Sequence, residues 1–405
     1  MSHGRHIAAA FVSLAAVWTL VAPVAADAPA LPELPVEGHL DQAVWSAGFA
    51  GDYLVVGGDD TVQVLDLTDP VHPALVGESG SLGGRVRPLV ASESFMYVLA
   101  AQRVHVLDIS DPSAPVSVGT VDLDGSSLTL NGSYLYVAGH NGFAVVDVAD
   151  PTQPQVVGQI DTQPNGFRYA SAVAIFGDTA YVSPYYSLTG ALSGTAVIDI
   201  SDVSRPTQVG TSPQEANAIA LNGKYAYLSW QVGMIRYAEP WGLTILNLTE
   251  ARRPTTVSYL PTPASAGTWG VFIADQQALL TDTYGLLAAD VSDPAHPRWI
   301  GYHHFDNCFP GPSGSPACWL WLAQVGGIRD QHAYVALGPG GLWVLGLPPP
   351  WSLAVASQAG RSAAPIRSSG GLAVLHQAPT TSMATVGPPL RCPVRHRRRE
   401  RCAFR

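Results

Sequence analysis

Five stretches of the chain, residues 161–169, 183–193, 230–241, 261–269 and 302–321, are rich in side chains suited to binding. They hold Phe167, Arg168, Tyr169, Tyr185, Tyr186, Trp230, Arg236, Tyr237, Trp241, Trp269, His303, His304, Phe305, Trp319 and Trp321. Aromatic residues and arginine dominate binding hot spots, and aromatic faces also stack on sugar rings. The candidate ligand-binding set is therefore Arg168, Tyr169, Tyr185, Tyr186, Trp230, Arg236, Tyr237, Trp241, Trp269, His303, His304 and Trp319. Single members of such a set also cap cores or pack loops together, so the cluster says more than any one residue. Glu239, His303, His304 and Asp306 are acid, base or metal-binding types, and an enzyme of hydrolase or lyase type is the alternative reading. Neither a Gly-x-Ser-x-Gly elbow nor a His-Glu-x-x-His helix is present, so no catalytic residue, metal ligand or cofactor is assigned.

The four cysteines are Cys308, Cys318, Cys392 and Cys402, and the first two bracket a loop rich in proline, glycine and serine. In an oxidising compartment these two are expected to form a disulfide, and closing so short a ring contributes roughly 2–3 kcal/mol. The spacing matches no zinc signature. An oxidising compartment agrees with the start of the chain. His3, Arg5 and His6 precede an apolar run from Ile7 to Val24, and Val24-Ala-Ala26 supplies small residues for cleavage before Asp27. Residues 1–26 are thus read as a signal peptide, with no membrane insertion expected once it is removed.

The elements that must position these side chains repeat along the chain. An acid closes a strand at Asp66, Asp108, Asp147, Asp199 and Asp290, with Asn247 and Gly346 as degenerate copies. The successive steps are 42, 39, 52, 48, 43 and 56 residues, the length of a four-stranded propeller blade with insertions and too long for helical or leucine-rich repeats. Within a copy, runs such as Tyr134-Leu-Tyr-Val-Ala138 and Tyr53-Leu-Val-Val56 are β-branched and aromatic, and turns such as Asn131-Gly132 introduce them. The strand ending at the acid leads into paired prolines, as in Asp69-Pro-Val-His-Pro73, which end one strand and launch the next. The repeated aspartates are expected to bond turns rather than ligands.

The pattern predicts an all-β chain, a β-propeller of seven four-stranded blades over residues 27–350, followed by a basic low-complexity tail over residues 351–405. An eighth, decayed blade is the alternative, since Gly371-Leu-Ala-Val-Leu375 echoes a third strand. Pro32-Glu-Leu-Pro-Val-Glu-Gly38 resembles the outer strand Pro73-Ala-Leu-Val-Gly77 and is expected to complete the last blade, with Trp351-Ser-Leu-Ala-Val355 as the competing strand.

This repeat resembles the LVIVP repeat, a family of extracellular proteins expected to be β-propellers, over roughly residues 40–347. The resemblance implies fold and an extracytoplasmic setting, and no general catalytic motif comes with it. Two copies depart from it: Asn247-Leu-Thr-Glu-Ala251 lacks the Asp-Pro, and Leu345-Gly-Leu-Pro348 lacks the acid.

In a propeller, the second-to-third-strand connection and the connection from one blade to the next open on one face. The five long stretches use these connections, whereas the Asp-Pro turns on the other face barely vary. One elaborated face on a rigid scaffold is a binding hypothesis with a physical basis. Charge narrows the ligand. Residues 27–350 hold 11 bases and 30 acids, a net of −19, against nine arginines and Glu400 in the tail, a net of +8. An acidic body disfavours nucleic acid. The expected function is a secreted or cell-surface module binding an extracellular protein or glycan, with a structural surface component as a further alternative. Nothing in these features specifies an oligomeric state.

Overall fold

The fold is taken from a computed structural model, which describes residues 31–92, 94–139, 142–160, 170–184, 194–212, 214, 216–230, 241–263, 267–282, 285–305, 309–310, 316–317 and 323–348. All their regular structure is strand, and no helix among them is long and apolar enough to cross a membrane.

Blade one is β2(Ser46–Ala50), β3(Tyr53–Gly57), β4(Val62–Asp66) and β5(Ala74–Glu78), each antiparallel to the next. Blades two to six repeat this order: β6(Leu89–Ala91) to β9(Val116–Asp122), β10(Ser127–Asn131) to β13(Gln155–Ile160), β14(Ala170–Phe176) to β17(Thr207–Thr211), β18(Ala218–Asn222) to β21(Thr255–Pro261), and β22(Thr268–Ala274) to β25(Arg298–His304). Blade seven takes β28(Gln324–Arg329), β29(His332–Ala336) and β30(Leu342–Gly346) from the end of the ring, and its outer strand, β1(Val36–Leu40), from the beginning. Neighbouring inner strands touch all the way round, β28 against β2 included. The ring closes with seven blades, so the eight-blade alternative does not hold.

The second and third strands of each blade are buried on both faces, which is why they read as continuous Val, Leu, Ala and Tyr. Among the described residues seven apolar clusters form, one at each junction between blades. The core is therefore shared by adjacent sheets, so no blade buries its surface alone.

The repeated aspartates bond turns, as expected. Asp108 accepts from the Ser110 amide at 2.9 Å and Asp111 from the Ser113 amide at 3.0 Å. Asn247, the degenerate copy in blade five, accepts from the Thr249 amide at 2.8 Å, so the turn survives loss of the charge. Each turn then docks on the preceding blade. The outer strands bulge at a glycine, and a Cβ on Gly77, Gly119 or Gly158 would collide with the Pro112, Pro151 or Val203 carbonyl of the next turn. The Val-Gly of blades one to three is thus a seat for the turn of the next blade.

The first strand joins both ends of this scheme. Val36 lies opposite Leu345 and Leu40 opposite Leu342, so the outer strand of blade seven does come from the N-terminal segment, two to four residues later than the 32–38 expected. Residues 32–34 have a separate task. The Leu34 amide donates to the Tyr302 carbonyl at 2.9 Å, the Tyr302 amide donates to the Pro32 carbonyl at 3.0 Å, and Leu34 packs over Gly301. There they occupy the seat that an Asp-Pro turn takes elsewhere, which blade seven lacks because its third strand ends at Gly346 and leads into Leu347-Pro348. Residues 351–355 and 371–375 lie outside the described residues.

Candidate functional site

Strand order settles which connections share a face. The turns between first and second strands lie with the Asp-Pro turns. The connections after β13, β21 and β25 and those following β15(Thr179–Pro184) and β19(Tyr225–Trp230) all leave from the opposite end. The five long stretches therefore leave from one end of the ring. Within the last of them a short hairpin pairs Phe309 with Ala317 and Pro310 with Pro316.

Of the candidate residues, Arg168, Tyr169, Tyr185, Tyr186, Arg236, Tyr237 and Trp319 lie outside the described residues, as do Cys308, Cys318, Glu239 and Asp306. Trp230 ends β19 opposite Gly242. Trp241 is half-buried and lies over Gly267, while its carbonyl accepts from the Thr262 amide at 2.6 Å. Trp269 is half-buried, and its buried indole N–H finds no hydrogen-bond acceptor among the described residues. His303 is 6% exposed. Its Nδ1 donates to the Leu34 carbonyl at 3.0 Å and its ring stands edge-on to Phe305 at 4.8 Å, so its described contacts hold the closing segment. His304 is exposed beside Tyr302, with ring centres 6.4 Å apart. Trp241, Trp269 and His304 are thus brought to the loop face, and His303 turns into the core beneath it.

Three further residues belong to this face. Trp45, Arg87 and Asn217 occupy one register position just before the inner strand, each donating its amide to a second-strand carbonyl: Gly57 at 2.7 Å, Leu99 at 2.9 Å and Ser229 at 2.9 Å. Trp269 holds the corresponding place in blade six, as the extra residue of a bulge between Thr268 and Gly270. Trp45 is 4% exposed, and its indole donates to Asp59 Oδ1 at 2.7 Å. The Arg85 guanidinium lies over its ring at 4.1 Å and meets Asp59 at 3.6 Å, with Arg87 at 5.4 Å from the same ring. The connections that carry Trp45, Arg87 and Asn217, residues 41–45, 79–88 and 212–217, lie outside the five stretches read from the sequence, although the second is ten residues long. The available signal was Arg85-Val-Arg87-Pro88, two cations before an inner strand in an acidic body.

The opposite face has an open groove of about 560 Å³ lined by Phe176, Thr179, Glu250, Arg252 and Arg253. Arg252 is already paired with Asp199 there. Among the described residues no group of His, Cys, Asp or Glu is arranged to hold a metal ion.

The model of the LVIVD repeat matches residues 83–123, 124–162 and 167–212, one stretch for each of blades two, three and four. Residues 83–212 carry three LVIVD repeats. The three matched stretches contain the strand-closing acids Asp108, Asp147 and Asp199. No curated protein matches the chain. Among solved structures, the Pan2 WD40 domain of Neurospora crassa is similar over 79% of this chain and 98% of its own, at 11% identity and a TM-score of 0.53. The computationally designed Ika8 protein is similar over 78% of this chain and 100% of its own, at 10% identity and a TM-score of 0.51. At such identities the likeness is one of fold alone.

Proposed function

We propose that this protein is a secreted or cell-surface binding module that captures an extracellular protein or glycan through the face carrying the long connections. One observation supports the reading above others: every long connection opens on one end of a closed, rigid ring, and tryptophan and arginine stand at that end. The LVIVD repeat and the sequence pattern of an export signal suit an extracytoplasmic setting.

The test is capture. A glycan array and a pull-down of envelope and extracellular proteins are run with the mature protein and with the triple variant Trp230→Ala, Tyr237→Ala, Trp241→Ala. The reading expects capture to be lost in the variant while the strand signal in circular dichroism and the melting temperature are kept. Equal capture by both proteins would place binding elsewhere, and substitutions at His72 and His296 on the Asp-Pro face serve as controls. The setting is tested by intact mass with and without reductant, which should show a start near Asp27 and a Cys308–Cys318 disulfide. Phe309 and Ala317, the neighbours of those cysteines, are paired across the hairpin, which suits that bond.

A further inference from the structure

The channel mouth carries a guanidinium that finds no acceptor among the described residues. Arg87 is half-buried, and among the described residues no carboxylate, carbonyl or hydroxyl accepts from its side chain. Its recorded neighbours there are the Trp45 ring at 5.4 Å and the like-charged Arg85. Burial, and then Arg85, hold its pKa below the usual arginine range. A partly desolvated cation beside another cation is an arrangement that a bound anion would relieve.

The backbone around it is fixed beforehand. The Ser46 hydroxyl donates to the Val86 carbonyl at 2.8 Å, the Val86 amide donates to Gly58 at 3.1 Å, and the Leu82 amide donates to Asp60 at 2.8 Å. The Asp60 carboxylate is held below its ordinary pKa by the Ser81 hydroxyl and by the amides of Gly83, Gly84 and Leu82. Arg85 and Arg87 flank a residue pinned at both its amide and its carbonyl. Arg85 has Asp59 as a partial counter-ion, and Arg87 has none among the described residues.

We propose that Arg87, with Arg85 beside it, forms an anion subsite at the channel mouth that takes one carboxylate of the bound ligand, as carried by an acidic sugar. A planar guanidinium matches a carboxylate in a two-pronged hydrogen bond. The net charge of −19 over residues 27–350 repels polyanions, so a single carboxylate suits the site better than a sulfated chain or a phosphate. The inference rests on reading this face as the binding face.

The experiment titrates the mature protein, at low ionic strength, with galacturonate, neutral galactose and inorganic phosphate, read by calorimetry and tryptophan fluorescence. The site expects saturable galacturonate binding in the millimolar range, little response to galactose, and a weaker one to phosphate. Arg87→Gln should weaken galacturonate at least tenfold, Arg87→Lys should retain part of the affinity, and Arg205→Gln on the opposite face should leave it unchanged. Arg87→Gln should also keep or raise the melting temperature, because it removes a charge that the fold does not pair. A lowered melting temperature with unchanged galacturonate affinity would overturn the subsite in favour of a packing role. Equal binding of galactose or phosphate would overturn the ligand class, and no saturable galacturonate response would overturn the subsite itself. The loop triple variant separates this inference from the broader reading: galacturonate binding retained while capture is lost supports both. If no partner is captured by any variant, the broader reading fails while the galacturonate titration still decides the subsite.

Discussion

At the scale of single residues, the junctions between blades depend on side chains that look interchangeable in the repeat. The tyrosines of the second strands are one example. Tyr334 donates its phenol to the Pro70 carbonyl at 3.0 Å across the junction of blades seven and one, and Tyr181 donates to Ala251 at 2.6 Å between blades four and five. Burial pushes both phenols up to about 12, so they remain donors across the physiological range. Replacing Tyr334 by phenylalanine should cost about 1 kcal/mol in denaturant unfolding, the net worth of one hydrogen bond, with the strand signal retained. No loss would show that water replaces the phenol at Pro70. The glycine seats are more demanding. Gly158→Ala should destabilise by about 1–3 kcal/mol, because its Cβ meets the Val203 carbonyl and the outer strand must move. Gly80→Ala, where a Cβ meets nothing, is the matched control and should be close to neutral.

At the scale of elements, the Asp-Pro turns link stability to acid. Asp66, Asp108, Asp111, Asp150 and Asp202 are held below the ordinary carboxylate range, first by the neighbouring serine or threonine hydroxyl and then by its amide. A folded pKa below the unfolded value of about 3.9 means that the stabilisation is fully present above that pH and is lost as pH falls through the folded pKa. Thermal melts should therefore give a flat melting temperature between pH 7 and 5 on this account and a fall below about pH 4. A melting temperature unchanged down to pH 2 would show that the turns hold as well with protonated acids. The closing segment is the other decisive element. Removing residues 27–40 takes away both the outer strand of blade seven and the Leu34 plug, which is 1% exposed, so the whole ring should lose stability and not one blade alone. Removing residues 388–405 should leave the melting temperature unchanged, because the described ring closes without them.

At the scale of the whole molecule, the propeller divides its two faces between different tasks. One face is built from short, self-bonded turns that lock each blade onto its neighbour, and their length hardly changes around the ring. The other varies in length, and none of its described connections carries an Asp-Pro turn. This separation allows insertions to accumulate beside the channel without weakening the junctions. It also implies that variants on the two faces should differ in kind. Substitutions at the Asp-Pro turns should move the melting temperature and spare capture, whereas substitutions at Trp241, Trp269 or Arg87 should move capture more than the melting temperature. Differential scanning fluorimetry run beside the capture assay on one panel of variants measures both, and a panel in which the two readouts always fall together would contradict the division.

The sequence by itself determined the period, the four-stranded blade, the count of seven, the Asp-Pro turns and the origin of the closing strand. Each of these is a local signal repeated until it is unmistakable: alternating β-branched strands, Asn-Gly and Asp-Pro turns, a recurring Val-Gly. It also indicated which face is elaborated, because strand order alone decides which connections share an end. What only the tertiary structure decided concerns contacts between residues far apart in the chain. His303 reads as a loop ligand, yet it meets Leu34 across 269 residues and is buried there, since closure of the ring brings the two ends together. Trp45, Arg85 and Arg87 read as ordinary residues of two separate connections, and it is strand register that sets them at the channel mouth. The physical reason is common to both cases. Local propensity specifies a blade, but which side chains face one another is fixed only when the sheets pack in a ring.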